Sequence, residues 1–286
     1  MQIKTSFNIR VVCIAIVLSA PLLSLGSLSF LRHSQLLMPK EYKTVKNIVN
    51  KLALQNDLGK EPIVFTINVG SLIDHLAEEL NLCTGKTCHF FSYLNPYKPY
   101  QGKSSDEINE AIRQSYLFNA IEAYASPMGI VSISRSTFKS FARKDNLFTC
   151  VIAHELSHIL NYDAFERSLR EGKEAKGLDK KKREKISKRI ARELEVQADN
   201  NATRMAVNTG LPNNICVTAL DFTYRHEARG EETKENSSHL GYEDRRHSLV
   251  GFIEEHLDTS SEAKRESSKG KWQYNRELNT LIFTPN

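Results

Sequence analysis

Residues 145–160 read DNLFTCVIAHELSHIL, and this stretch decides the fold around it. Leu147, Phe148, Val151, Ile152, Leu156, Ile159 and Leu160 recur at helical spacing and mark an apolar stripe, with Asp145 or Asn146 as the expected cap. Two histidines and a glutamate interrupt that stripe. Four residues advance a helix by about 400°, so His154 and His158 project within about 40° of each other and about 6 Å apart along the axis. Two imidazoles at that spacing can share one tetrahedral zinc ion. Glu155 points about 100° away from His154, placed to take a proton from water without itself ligating. A carboxylate and two imidazoles are costly to bury in an otherwise apolar run, and a metal offsets that cost.

The motif needs a third ligand that leaves one position open to water. Residues 195–199, EVQAD, supply it on a second helix, which Asp179 caps and whose Ile186, Ile190, Leu194, Ala198 and Ala202 recur every fourth position before Gly210. Glu195 is the expected ligand. Asp199 lies four residues on, on the same face, free to accept the outer ring N–H of a histidine ligand and fix its tautomer.

Around this core the apolar spacing predicts a helix over Glu41 to Gln55, a strand over Pro62 to Val69 and a short helix over Ser71 to Leu82. Cys83 to Asp106 reads as an irregular excursion. Two strands, Tyr116 to Tyr124 and Gly129 to Ser134, meet in a hairpin at Ser126-Pro127-Met128-Gly129. A short helix over Ser136 to Arg143, another over Asp244 to Leu257 and a closing pair of strands, Lys271 to Tyr274 and Thr280 to Thr284, complete an α+β pattern. The expected division is an export element over 1–31, a helical segment over 32–61, the catalytic domain over 62–258 and a link with short strands over 259–286.

The chain has 286 residues, 40% hydrophobic and 26% charged, which excludes disordered and fibrous classes. Its net charge of +5 is local: Arg167 to Arg192 holds twelve basic and four acidic residues, a net +8 that leaves −3 elsewhere. That excludes a generally basic nucleic-acid binder, so no nucleic-acid partner is expected. The basic stretch reads as a solvated loop plus the first turns of a helix, with a lid or a contact to anionic lipid headgroups as the sharper alternative. Lys4 and Arg10 precede a charge-free run, Val11 to Leu31, which is either a cleaved signal peptide or a membrane anchor. Both send the rest of the chain out of the cytoplasm, to the periplasm or the exterior. Beyond the Cys13 of that run, Cys83, Cys88, Cys150 and Cys216 permit two disulfides, with pairing open; the Cys83/Cys88 pair closes a small loop in one reading and begins a zinc knuckle in another.

The combination of His-Glu-x-x-His with a later Glu-x-x-x-Asp resembles the gluzincin metallopeptidases of the HtpX and CAAX prenyl protease type. The resemblance spans roughly residues 62–257. Asn119-Ala120 is similar to the family's strand edge beside the cleft, where substrate pairs, and the strand from Gly129 follows it. His239 and Arg245, six residues apart, resemble the family's late His and Arg pair, although Leu240 stands where the family has Pro. Only one long apolar segment is present, so the chain is more similar to the family's exported, quality-control branch. The resemblance implies a helical zinc core with a small flanking sheet. It implies one Zn2+ per chain on His154, His158 and Glu195, with Glu155 as the base and His239 or Arg245 stabilising the oxyanion; the plainer alternative for these two is a loop histidine and a structural arginine that bridges to Asp199. His226 and His247 are alternatives to His239. The expected activity is endopeptidase cleavage of exported or membrane-associated, unfolded polypeptides, with a membrane surface as a second partner. The rival is a zinc-binding, chaperone-like module with little turnover.

Overall fold

The computed structural model describes residues 38–70, 94–97, 100, 102–117, 121–227, 231–257 and 269–286. The export element, the helix expected over Ser71 to Leu82, Cys83, Cys88, Asn119 and Ala120 lie outside them. Among the described residues, no helix is long and apolar enough to cross a membrane.

The architecture is α+β, with eight helices and one five-stranded mixed sheet among the described residues. In chain order the elements are α1 Lys40–Ala53, β1 Ile63–Asn68, α2 Ser105–Ser115, β2 Ala123–Ala125, β3 Ile130–Ser134 and α3 Arg135–Ser140. They continue with α4 Asp145–Leu160, α5 Asp163–Glu174, α6 Lys180–Asn208, α7 Ile215–Glu227, α8 Tyr242–His256, β4 Gly270–Asn275 and β5 Thr280–Pro285.

The strand order is β2-β3-β1-β5-β4, with β1 and β3 parallel and every other pair antiparallel. The two central strands, IVFTIN and IVSIS, are mostly buried, as near-continuous runs of β-branched residues require. The hairpin between β2 and β3 closes through Gly129, whose φ of +75° suits a residue without Cβ; an added Cβ would also sit 3.2 Å from the Pro62 carbonyl oxygen. On the other side of β1, β5 pairs with it and β4 forms the far edge, so residues 270–285 share one sheet with the first described strand.

The core runs between this sheet and α4. From α1, Tyr42, Val45, Ile48, Val49 and Leu52 pack in one cluster with Phe65, Ile67, Val131, Phe148, Ile152 and Leu156. α4 touches α1, α5, α6, α7 and β2, so the helix carrying the His-Glu-x-x-His motif is packed from several sides. A disulfide from Cys150 of α4 to Cys216 of α7 closes a separation of 66 residues. Loop closure of that length constrains the unfolded chain by about 4 kcal/mol. Replacing both cysteines by Ala is therefore expected to lower unfolding free energy by several kcal/mol in denaturant titrations under oxidising conditions; an unchanged midpoint would contradict it.

Three sequence expectations need correction. Tyr116 to Tyr124 is not one strand: α2 runs to Ser115, Tyr116 is its C-cap, and only Ala123–Ala125 pairs with β3. α2 starts at a capping box in which Ser104 Oγ accepts from the Glu107 backbone N–H, while Glu107 Oε2 accepts from the Ser104 N–H. Tyr116 then donates to Glu41 Oε1 of α1 at 2.8 Å. Neither Asp145 nor Asn146 caps α4; Lys144 holds that position without a side-chain hydrogen bond, and Asp145 sits in the first turn, where its charge suits the helix dipole. Of the basic stretch, residues 180–185 are the expected exposed first turns of a helix, but the part read as a solvated loop is largely helical, because residues 163–174 form α5. Arg167 pairs with Glu171 at 2.8 Å, Arg170 with Glu174 at 3.2 Å and with Glu193 of α6, and Arg189 of α6 with Glu193 at 2.7 Å and with Glu174. Asp179 does cap α6, accepting from the Lys182 N–H at 3.0 Å.

Candidate metal centre

α4 and α6 cross so that His154, His158 and Glu195 meet, each side chain 14–18% exposed. The two Nε2 atoms lie 3.1 Å apart; His154 Nε2 is 3.5 Å from Glu195 Oε2, and His158 Nε2 is 3.7 Å from Glu195 Oε1. Donors about 2.0–2.1 Å from a tetrahedral zinc ion stand about 3.3 Å from one another. The three observed separations bracket that value, and the group could hold a metal ion.

The donor chemistry agrees. Each imidazole turns its Nδ1 to a carboxylate: His154 to Asp199 Oδ1 at 2.9 Å, and His158 to Asp163 Oδ2 at 2.6 Å. The Asp199 contact is oblique, leaving His154 Nδ1 without a well-aligned hydrogen bond, whereas Asp163 faces its ring closely. Carboxylates at both Nδ1 positions favour the tautomers whose Nε2 lone pairs face inward. Two ring nitrogens 3.1 Å apart beside a carboxylate oxygen need a positive charge between them, which a metal ion supplies and, without one, a proton on His154.

Asp163 was not foreseen from the sequence. It is the first residue of α5 and 6% exposed, brought back onto His158 by a two-residue corner, Asn161-Tyr162. Tyr162 takes a left-handed conformation there, φ +55°, which costs roughly 1 kcal/mol for a residue with a Cβ. Asn201 of α6 steadies the corner by donating to Asn161 Oδ1 at 3.2 Å. The only sequence signal was an aspartate five residues after the second histidine.

Asp199 bridges the site to α8. Arg245 grips it through both ends of the guanidinium, Nε to Oδ2 at 2.9 Å and Nη2 to Oδ1 at 2.6 Å. Burial works against the Asp199 charge, but Arg245 and His154 outweigh it and hold its pKa at about 2. Burial likewise disfavours a charged His154, yet Asp199 and Glu195 raise it to about 10. Glu195 is held far below the usual carboxylate range despite its burial, chiefly by hydrogen bonds from His154 and His239.

The guanidinium of Arg245 is thus engaged by Asp199, the bridging role expected of it as the alternative to oxyanion stabilisation, and in that role it is a positioning residue. Arg245→Met leaves a buried aspartate uncompensated and is expected to cost about 3–5 kcal/mol of stability. Arg245→Met with Asp199→Asn together should cost less than the sum of the two single changes, as a double-mutant cycle of melting free energies would show.

His239 occupies the open side. It is 55% exposed, and its Nδ1 lies 3.4 Å from Glu195 Oε2. Its loop is pinned to α6 by Arg192, which donates to the Ser237 carbonyl at 2.9 Å. His226 and His247 do not line the cleft. Glu155 does, 6% exposed, and burial raises its pKa, opposed by the nearby histidines and Arg245. The whole group lines one cleft of about 1380 Å³, bounded also by β2 and the β2–β3 hairpin.

Comparison of the chain with protein-family models, with curated proteins and with solved structures finds no match.

Proposed function

We propose that the chain is a zinc-dependent endopeptidase, a distant member of the HtpX-type gluzincins, that cleaves unfolded polypeptides outside the cytoplasm. The observation that carries this reading is the convergence of two imidazole nitrogens and a carboxylate within 3.1–3.7 Å, with Glu155 buried in the same cleft. His154, His158 and Glu195 would hold the ion. Zinc in such a site supplies a Lewis acid that polarises a carbonyl and acidifies water.

The chain's own residues account for the rest. Glu155 accepts a proton from the attacking water and delivers it to the leaving amine; its raised pKa suits a group that must both take and give. His239, exposed at the mouth, donates to the oxygen on which negative charge develops. Asp163 and Asp199 orient the two imidazoles, and Arg245 holds Asp199. Among the described residues β2 is an edge strand lining the cleft, which suits an extended substrate added as a further strand. The Cys150–Cys216 disulfide supports an oxidising compartment.

The test is cleavage of a reduced, unfolded protein by the purified chain. Fragments identified by mass spectrometry should accumulate with zinc and disappear with a chelator. A zinc-replete chain that leaves the polypeptide whole sinks the endopeptidase reading in favour of the binding module.

A further inference from the structure

α5 is amphipathic with its faces reversed. A surface helix ordinarily turns its apolar stripe inward and its charges to water. Here the charged face is the one turned to α6: Arg170 pairs with Glu193, Arg189 with Glu174, and Arg167 donates to Ser187 Oγ at 2.9 Å. The apolar side chains are left in solvent, with Phe165 69% and Leu169 57% exposed, and Tyr162, just before the helix, 66% exposed. Positions 162, 165 and 169 are spaced three and four apart, the spacing of one helical face.

This face continues into the candidate active site. Tyr162 and Phe165 line the same cleft as His154, Glu155 and His158, and so do Tyr124 of β2 and Met128 of the hairpin, 48% and 79% exposed. β2, an edge strand among the described residues, lies within the same lining. A segment paired along that edge projects alternate side chains to each side, so an extended chain beside the metal centre presents side chains to an apolar surface. A contiguous exposed apolar face marks a contact site, and its continuity with the cleft identifies the occupant.

We propose that Tyr162, Phe165 and Leu169 of the α5 face, with Tyr124 and Met128 of the hairpin, form a subsite for large apolar side chains of an unfolded polypeptide lying in the cleft. The substrate class follows: segments carrying Phe, Leu or similar residues beside the scissile bond, which folded proteins bury and unfolded ones expose. The proposal rests on the peptidase reading for the position of that bond, and on the exposed surface alone for the apolar preference.

The test uses the full chain carrying Glu155→Gln, loaded with zinc, and two fluorescein-labelled unstructured peptides that differ only in carrying Phe and Leu or Ser at the same positions. Anisotropy should show the apolar peptide bound about tenfold more tightly, the scale expected for burying one large apolar side chain. Adding Phe165→Ser and Met128→Ser should abolish the preference while leaving zinc content and melting temperature unchanged, since both side chains are exposed. Equal affinity for the two peptides overturns the proposal, as does a preference that survives the two substitutions. Co-sedimentation with phosphatidylglycerol vesicles that is lost on those substitutions, with both peptides bound alike, assigns the face to a membrane and also overturns it. Digestion of the same peptides by the chain with Glu155 intact separates the two ideas: preference without cleavage keeps the apolar subsite and removes the peptidase, whereas cleavage without preference does the reverse.

Discussion

Glu155→Gln is expected to lower the rate of cleavage of an unfolded polypeptide by about 10²–10⁴-fold while leaving one zinc ion per chain. The size of the effect follows from what the substitution removes. Gln has nearly the shape of Glu, so the packing of α4 around position 155 is kept, but the amide cannot accept a proton from water. Glu155 is 6% exposed, and burial raises its pKa, so its protonation depends on the folded surroundings. None of the three converging donors is altered, and metal affinity should stay within a fewfold of the unsubstituted chain. Stability should not fall, because neutralising a buried carboxylate relieves a desolvation cost. The measurement is initial rate against zinc content and melting temperature for both proteins. Equal rates would remove Glu155 from the chemistry and favour the zinc-binding module, and loss of zinc in the variant would show that residue 155 serves the metal rather than the proton.

Much of this site was legible because the relevant signals are local. His154 and His158 are one turn apart on a helix whose apolar residues announce it, and Glu195 and Asp199 repeat that spacing on a helix with a clear cap at Asp179. Helical geometry turns such spacings into shared faces with little help from tertiary structure. What remained hidden depends on contacts between distant residues. α5 was unreadable as a packed helix because its inward face is charged, and charges in a sequence signal solvent unless their partners on α6 are known. With α5 unseen, Asp163 had no reason to return to His158. For Arg245 the sequence left two roles open, oxyanion donor or bridge to Asp199, and only the 2.6 Å contact shows its charge engaged by that carboxylate. α2 was missed for another reason. Its capping box, Ser104 with Glu107, stands in the sequence, but at the end of a Tyr-, Pro- and Lys-rich stretch whose turn formers mask it.

The largest effect of all is expected on metal binding, and the residues should fall into two tiers. Titrated against a chromophoric chelator, the unsubstituted chain should take up one zinc ion, and His154→Ala, His158→Ala and Glu195→Ala should each abolish stoichiometric binding, since three protein ligands are the minimum for such a site. Asp163→Ala and Asp199→Ala should instead weaken affinity by about 10–100-fold, because they remove the acceptors that hold the rings in register and leave the donors in place. Asp163 should show the larger loss of the two. Its contact with His158 is the shorter and better aligned, 2.6 Å against an oblique 2.9 Å for Asp199 and His154, and it also anchors the start of α5. The tiers should reappear in stability. Zinc at about a thousand times its Kd adds about 4 kcal/mol, roughly 10 °C in melting temperature for a chain of this size. That increment should vanish in the ligand variants and shrink in the carboxylate variants. Full zinc affinity in Glu195→Ala would mean that a different group completes the site, and an Asp163→Ala variant indistinguishable from the unsubstituted chain would mean that the corner at Asn161-Tyr162 serves packing alone.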